Sequence, residues 1–433
     1  MFKQLLALLV LMSVLLSPLH AATENAAASN QVAKADVVAS PLPPSFNAEV
    51  ATHAFMNRLS EAARSQSDDY AAGGYWLQLW NLLLTLAISW FLLASGVSAR
   101  MRDFAERKTS RRSLQVLVYA LAFIVFTALI SFPLTWYETW FREHQYGLSN
   151  LSLADWFMEN LVDLGVNLLL MGAAIAGLYV ILRRVPQTWW AWGTLASAGF
   201  FAFLAMVNPV FIAPLFNTYT PLPEGPVREE ILSMARANGI PAENVYYFDA
   251  SKQSKRISAN VSGLFGTTRI SLNDNLLNRT SPAEIRAVMA HEMGHYVLNH
   301  SLKHTIAFSL LMLGGFLFLR WSWDWTATRY GTRFGVRGID DPAGLPQLVA
   351  LFSVFFFLAT PVSNLIIRTA EVEADYYGLN ASREPDGFAE AIFKLAEYRK
   401  LEPGALEEAV FYHHPSGYQR ILTAMRWKAE HRN

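Results

Sequence analysis

Residues 75–98, 114–135, 188–208 and 346–367 contain no charged side chain, and four such stretches rule out an ordinary soluble fold. A run of about 20 apolar residues crosses roughly 30 Å of hydrocarbon as a helix, which satisfies its own backbone hydrogen bonds there. Two weaker stretches join them: 161–182, which carries Asp163 and Asn167, and 304–320, which is short. The expectation is a mainly α, multi-pass helical membrane protein with six spans, or seven if the N-terminal run also stays in the bilayer. Composition agrees, with 53% hydrophobic and only 16% charged residues. Net charge is zero, so no basic field recruits nucleic acid. The chain has no cysteine, which excludes disulfides, thiol nucleophiles and cysteine metal sites.

Residues 1–22 read either as a signal peptide or as a first membrane helix: Lys3, the apolar run Leu5 to Leu16, Pro18, then Ala21 and Ala22. Leu19, three residues before the cut, argues against cleavage; both readings export the segment beyond residue 22. Residues 23–74 form an extracytoplasmic segment, loose through the prolines at 41–44, with an amphipathic helix from Asn47 to Tyr70. Four spans occupy 75–208. Arg100, Arg102, Arg107, Lys108, Arg111 and Arg112 crowd the first short loop, Arg183 and Arg184 the third, and Arg320, Arg329, Arg333 and Arg337 the connection between the last two spans. The loop from Trp136 to Asn160 has Arg142 alone. Short loops rich in Lys and Arg stay in the cytoplasm. The segment 209–303 and the tail 368–433 are therefore expected outside it, joined by a membrane helix pair over 304–367.

His291-Glu292-Met293-Gly294-His295 is a His-Glu-x-x-His sequence. Ser281-Pro282-Ala283-Glu284 supplies an N-cap, a proline at the first helical position and a capping-box glutamate, so a helix starts there. On it His291 and His295 lie one turn apart and can share one zinc ion, with Glu292 beside them as general base toward metal-bound water. A core helix with two buried histidines is the plainer alternative, but two imidazoles and a carboxylate are costly to bury without purpose. Catalytic zinc needs a third protein ligand and an open position. Ser301 stands where a metzincin would carry histidine, and His300, nine residues after His291, falls on the opposite face of a continuous helix, as a supporting polar residue. Glu371 and Asp375 are the better candidates. They share a helical face one turn apart, suiting a zinc-binding Glu and a carboxylate that orients a ligating histidine, while Glu373 points elsewhere. The spans at 304–320 and 346–367 leave and return, bringing Glu371 back to the membrane face of His291. A solvated acidic helix start is the competing reading.

Several ordered motifs then resemble the zinc-dependent (type I) CAAX prenyl protease family, integral-membrane gluzincin metallopeptidases. They are Asn208-Pro209 through Pro214-Leu215-Phe216, the runs 249–254, 259–263 and 270–274, Ala290 to His295, Glu371 to Asp375, and His414-Pro415 followed by Arg420. The resemblance implies one zinc ion per chain on His291, His295 and Glu371, with Glu292 as general base and Asp375 behind the ligands. It also implies that His414 stabilises the oxyanion, with the adjacent His413 as its rival. It implies a ring of membrane helices around a large chamber closed by the zinc domain. Eukaryotic members act on prenylated substrates from the cytosolic side. Here the charge bias places the site outside the cytoplasm and the start looks bacterial, so the reaction is expected to carry over and the CAAX substrate is not.

Within 209–303, Pro226 to Asn238 reads as a helix ended by Gly239, and Val245 to Phe248, Ile257 to Val261 and Thr268 to Leu272 as short strands, the last two joined through Gly263 and Gly266. A small sheet before the zinc helix offers an edge for an extended peptide, with Asn260 either on that edge as a substrate-binding residue or an ordinary hairpin residue. The expected function is a membrane zinc metalloendopeptidase with peptide or membrane-protein substrates. The alternative is a transporter or channel with a non-catalytic metal helix, whose pathway would use Asn81, Asp163, Asn167 and Asn364. An intramembrane-cutting metalloprotease is disfavoured, because Glu284, Arg286 and the Asn299-His300 end make the motif helix interfacial.

Overall fold

The computed structural model describes residues 46–263 and 268–431. The signal-like run 1–22 and the loose stretch 23–45 lie outside them. The helix expected over Asn47 to Tyr70 is two helices. Asn47 caps α1 (Ala48–Met56), accepting from the Val50 N–H. Ser60 starts α2 (Glu61–Ala94), accepting from the Ala63 N–H. A hydroxyl that satisfies a first-turn N–H begins a new helix even inside an amphipathic pattern. α2 then runs without a break into the first apolar stretch.

After α3 (Val97–Lys108) come α4 (Arg112–Trp136), which continues through a π-helical turn to Gln145, then α5 (Leu153–Arg184) and α6 (Trp189–Val207). Among the described residues five helices are long and apolar enough to cross a membrane, and six when a bent pair counts as one span. That matches the expected six. The short stretch at 304–320 lies within a 35-residue helix that runs well beyond it. The stretch 346–367 is broken: α11 (Leu345–Leu358) and α12 (Thr360–Ser382) meet at 54°, at Pro361, whose ring and missing N–H prevent a continuous helix. Beyond α12 the tail adds α13 (Pro385–Lys394), α14 (Ala405–Phe411) and α15 (Gly417–Glu430).

The basic loops gather at one end of the bundle. Buried Arg102 of α3 holds Asp341, before α11, at 2.8 Å, and Arg337 pairs with Glu106 at 2.6 Å. At the other end the loop after α4 meets the soluble part: Glu143 pairs with Arg256 at 3.0 Å, and the Asn150 N–H donates to the Gln253 carbonyl.

That soluble part holds β1 (Tyr219–Pro221), α7 (Pro226–Ala237), β2 (Val245–Phe248), β3 (Ala259–Ser262), β4 (Arg269–Asn273) and α8 (Asp274–Arg279). The sheet order is β1-β2-β4-β3, with β2 and β4 parallel and both outer pairs antiparallel. Strands β3 and β4 lie one or two residues later than expected, and β1 is an addition, because three residues carry no alternation to read. Gly263 takes φ +105°, whereas Gly266 lies outside the described residues. Among the described residues strand β3 pairs only with β4, which leaves its other side as an edge.

Candidate metal centre

The motif helix α9 (Pro282–Val297) begins as the sequence demands: Ser281 and Glu284 form a capping box, and Pro282 occupies the first turn. It packs against α12 at unusually short range. A Cβ on Gly378 of α12 would stand 2.9 Å from the backbone nitrogen of His291, so only glycine permits this approach. The crossing puts Glu371, two turns earlier on α12, over the two motif histidines.

His291 Nε2 and His295 Nε2 are 3.1 Å apart, and the Glu371 carboxylate presents one oxygen to each, at 3.4 Å and 3.5 Å. A tetrahedral ion with bonds of about 2.0–2.1 Å needs ligand separations of about 3.3–3.4 Å. Separations of this size suit a small cation, and among the described residues these three are the one His/Asp/Glu group whose ligand atoms all lie within 4.8 Å of one another. Glu371 Oε2 is buried, with His414 Nε2 at 3.2 Å and His291 Nε2 at 3.4 Å. It makes no hydrogen bond of good geometry, as befits an oxygen aimed at a cation.

Asp375, one turn after Glu371, is buried and lies 2.9 Å from His291 Nδ1. Arg420 of α15 grips the same carboxylate with both arms, at 2.8 Å and 2.5 Å. Asp375 therefore lies behind His291, on the side away from Glu371. His300 is a correction. It does support His295, but not from an opposite face. α9 stops at Val297, Asn299 adopts a left-handed φ of +54°, and the chain restarts as α10 (His300–Phe334). That turn swings His300 back, so that its Nδ1 meets His295 Nδ1 at 2.8 Å. The opposite-face expectation holds only for one continuous helix through Asn299. Glu373 does point away from the cage, to His300 and Lys303.

The centre opens into a cavity of about 350 Å³, whose lining includes Glu292, His414, Arg399 and the β3 residues 259–262. His414, not His413, faces this cavity; His413 lines a neighbouring one, its ring 4.5 Å from that of His414. Asn260 sits buried in β3 beside the cavity, within reach of the edge predicted for it. Burial, reinforced by the Glu371 charge, pushes the Glu292 carboxyl up to about 8, against the opposing pull of His291 and Arg420. Burial opposes charge on His291, yet the Asp375 and Glu371 carboxylates outweigh it and raise its pKa to about 10. His295, buried and less favourably paired, falls to about 3, and burial holds His414 well below the usual imidazole range. All these directions belong to the metal-free site, where no divalent charge competes.

Sequence reasoning names Arg420 only as the end of a motif and Arg399 not at all. Arg420 lies 45 residues from its carboxylate, and no spacing rule joins them.

The profile of peptidase family M48 matches residues 221–428, and that of the CAAX prenyl protease N-terminal region, five membrane helices, matches residues 45–218. A metalloprotease of Bacillus subtilis, YhfN, is 30% identical over 345 residues, covering 78% of this chain and 80% of the relative. CAAX prenyl protease 1 of Saccharomyces cerevisiae is 29% identical over 322 residues, covering 70% of each chain. The crystal structure of Ste24p from S. mikatae shares the fold, with a TM-score of 0.72 at 22% identity over 97% of this chain and 96% of that one. None of these is a transporter. The chain belongs to peptidase family M48, and it is an integral-membrane metallopeptidase built from the helices of the CAAX prenyl protease fold and a His-Glu-x-x-His domain.

Proposed function

We propose that the chain is a zinc metalloendopeptidase of a bacterial inner membrane, with its active site on the extracytoplasmic side. The observation that carries the reading is the set of ligand separations, 3.1, 3.4 and 3.5 Å, on a His₂Glu donor set beside an unligated glutamate. His291, His295 and Glu371 would hold the ion, which when bound polarises a carbonyl and lowers the pKa of water. Glu292 takes the proton of the attacking water and delivers it to the leaving amine. His414 donates toward the carbonyl oxygen as charge builds on it, from the same wall of the cavity as Glu371. Strand β3 offers its free edge to an extended peptide, and Asn260 anchors that register. The substrates are peptides or membrane-protein segments rather than prenylated cytosolic proteins.

Metal analysis of purified protein, with peptide cleavage by wild type and Glu292→Gln, tests the reaction. One zinc per chain and cleavage lost only in the variant are expected. No zinc, or equal cleavage by both, overturns it. Orientation rests on the clustering of Arg102, Arg337 and their loops at the bundle end away from the centre. Because the chain has no cysteine, single Cys replacements report sidedness cleanly. Leu406→Cys, 78% exposed on α14 just before His414, should react with an impermeant maleimide in intact cells, and Arg107→Cys should not. The reverse labelling pattern refutes the assignment.

A further inference from the structure

Each motif histidine has a partner behind it, but the two partners differ in kind. His291 is backed directly by the Asp375 carboxylate, whereas His295 is backed by a second imidazole, which is in turn backed by a carboxylate. We infer that His300 and Glu373 form a proton-positioning relay that holds His295 in its metal-binding tautomer. The inference rests on the reading of His291, His295 and Glu371 as the metal cage.

An ionised carboxylate only accepts hydrogen bonds. Glu373 Oε2, 3.0 Å from His300 Nε2, therefore requires a proton on that nitrogen. In neutral His300 the other nitrogen, Nδ1, then carries a lone pair. At 2.8 Å it accepts from His295 Nδ1–H, which leaves the lone pair of His295 Nε2 directed into the cage. The opposite arrangement, with His300 donating to His295, puts the proton of neutral His295 on Nε2, 3.1 Å from His291 Nε2, and blocks the cage. These proton positions follow from the donor and acceptor inventory, and only one of the two arrangements admits a cation.

The construction is specific. His300 is 1% exposed, so its two nitrogens have little access to water as an alternative partner. It reaches His295 only because Asn299 accepts a left-handed backbone, a conformation disfavoured for a residue other than glycine. Lys303, one turn along α10, holds the same oxygen of Glu373 at 2.5 Å and fixes that carboxylate in place. His300 is not itself a ligand of the cage; it acts through His295, which it contacts.

The test is zinc affinity, measured by chelator competition on detergent-purified full-length chain, with thermal stability measured alongside. Losing the partner behind a ligating histidine typically costs 10–100-fold in metal affinity. His300→Leu should weaken zinc binding by about that factor. His300→Gln should restore most of it, because its amide oxygen accepts from His295 while its NH₂ donates to Glu373. Glu373→Ala, at the exposed end of the relay, should weaken zinc binding by a smaller factor without unfolding the protein. Wild-type zinc affinity in folded His300→Leu, or in Glu373→Ala, overturns the relay. Equal losses in His300→Leu and His300→Gln, tracking a common loss of thermal stability, reduce His300 to packing and also overturn it. Absence of zinc binding by the wild type would instead defeat the metal reading beneath it.

Discussion

Gly378→Ala is the smallest change that tests whether the α9–α12 crossing assembles the centre. The added methyl would lie 2.9 Å from His291 N, 3.0 Å from its Cα and 3.3 Å from its Cβ. Two of those atoms are backbone, so no side-chain rotation relieves the clash. Ordinary carbon contacts lie at about 3.5–4.0 Å, so the helices must separate by roughly half an ångström or more. Metal sites tolerate about 0.2 Å in ligand distance, and Glu371 rides on the displaced helix while both histidines stay on the other. Overpacking costs about 1–3 kcal/mol, or about 5- to 150-fold when expressed as zinc affinity. Chelator competition should show that loss together with a fall in peptide cleavage. Gly177→Ala, in α5 with nothing within 4 Å of the added methyl, serves as the control and should change neither. Wild-type zinc affinity in Gly378→Ala would refute the claim that this contact sets the ligand geometry.

Arg420→Ala strips the guanidinium from buried Asp375 and should destabilise the protein by about 3–5 kcal/mol in thermal or denaturant unfolding; Arg420→Lys, which keeps the charge but not the two-armed grip, should cost less. No measurable loss in Arg420→Ala would show that Asp375 does not depend on it. With its pKa raised to about 10, His291 in the metal-free protein carries a proton at pH 7 that the metal must displace, whereas His295, at about 3, carries none. Zinc affinity should therefore rise by about tenfold per pH unit for each proton displaced, levelling only near pH 10, and calorimetry in buffers of different ionisation enthalpy should find protons released on binding. No proton release at pH 7 would contradict this. His414→Ala should lower kcat by about 10²–10³ with KM little changed, as for removal of an oxyanion donor, and His413→Ala by a few-fold at most. Equal effects of the two would contradict the assignment of His414 to the reacting side.

Local chemistry explains what could be read from the residues alone. Charge-free stretches of membrane length needed no partner to declare themselves, and the described residues hold five or six long helices of that kind. The Ser281–Glu284 capping box and the one-turn spacing of His291 and His295 lie within a single helix, so its start and ligand face were both legible. So was the shared face of Glu371 and Asp375. Boundaries decided by one or two atoms were harder to read. The Ser60 hydroxyl divided an apparently continuous helix, and Pro361 bent an apparently straight span by 54°.

Long-range packing decided the rest. Nothing in local spacing says that α12 approaches α9 closely enough for Gly378 to touch His291, or that Arg420 closes on Asp375. A left-handed residue at Asn299 reverses the expected direction of His300, because periodicity arguments hold only while the helix continues. Which of two adjacent imidazoles enters the cavity is likewise a matter of how the segment after α14 is laid across the site. Sequence names the donors, through chemistry carried by each residue and its near neighbours. Their convergence to within 3.1–3.5 Å depends on two helices 80 residues apart in the chain, and only the packed structure brings those together.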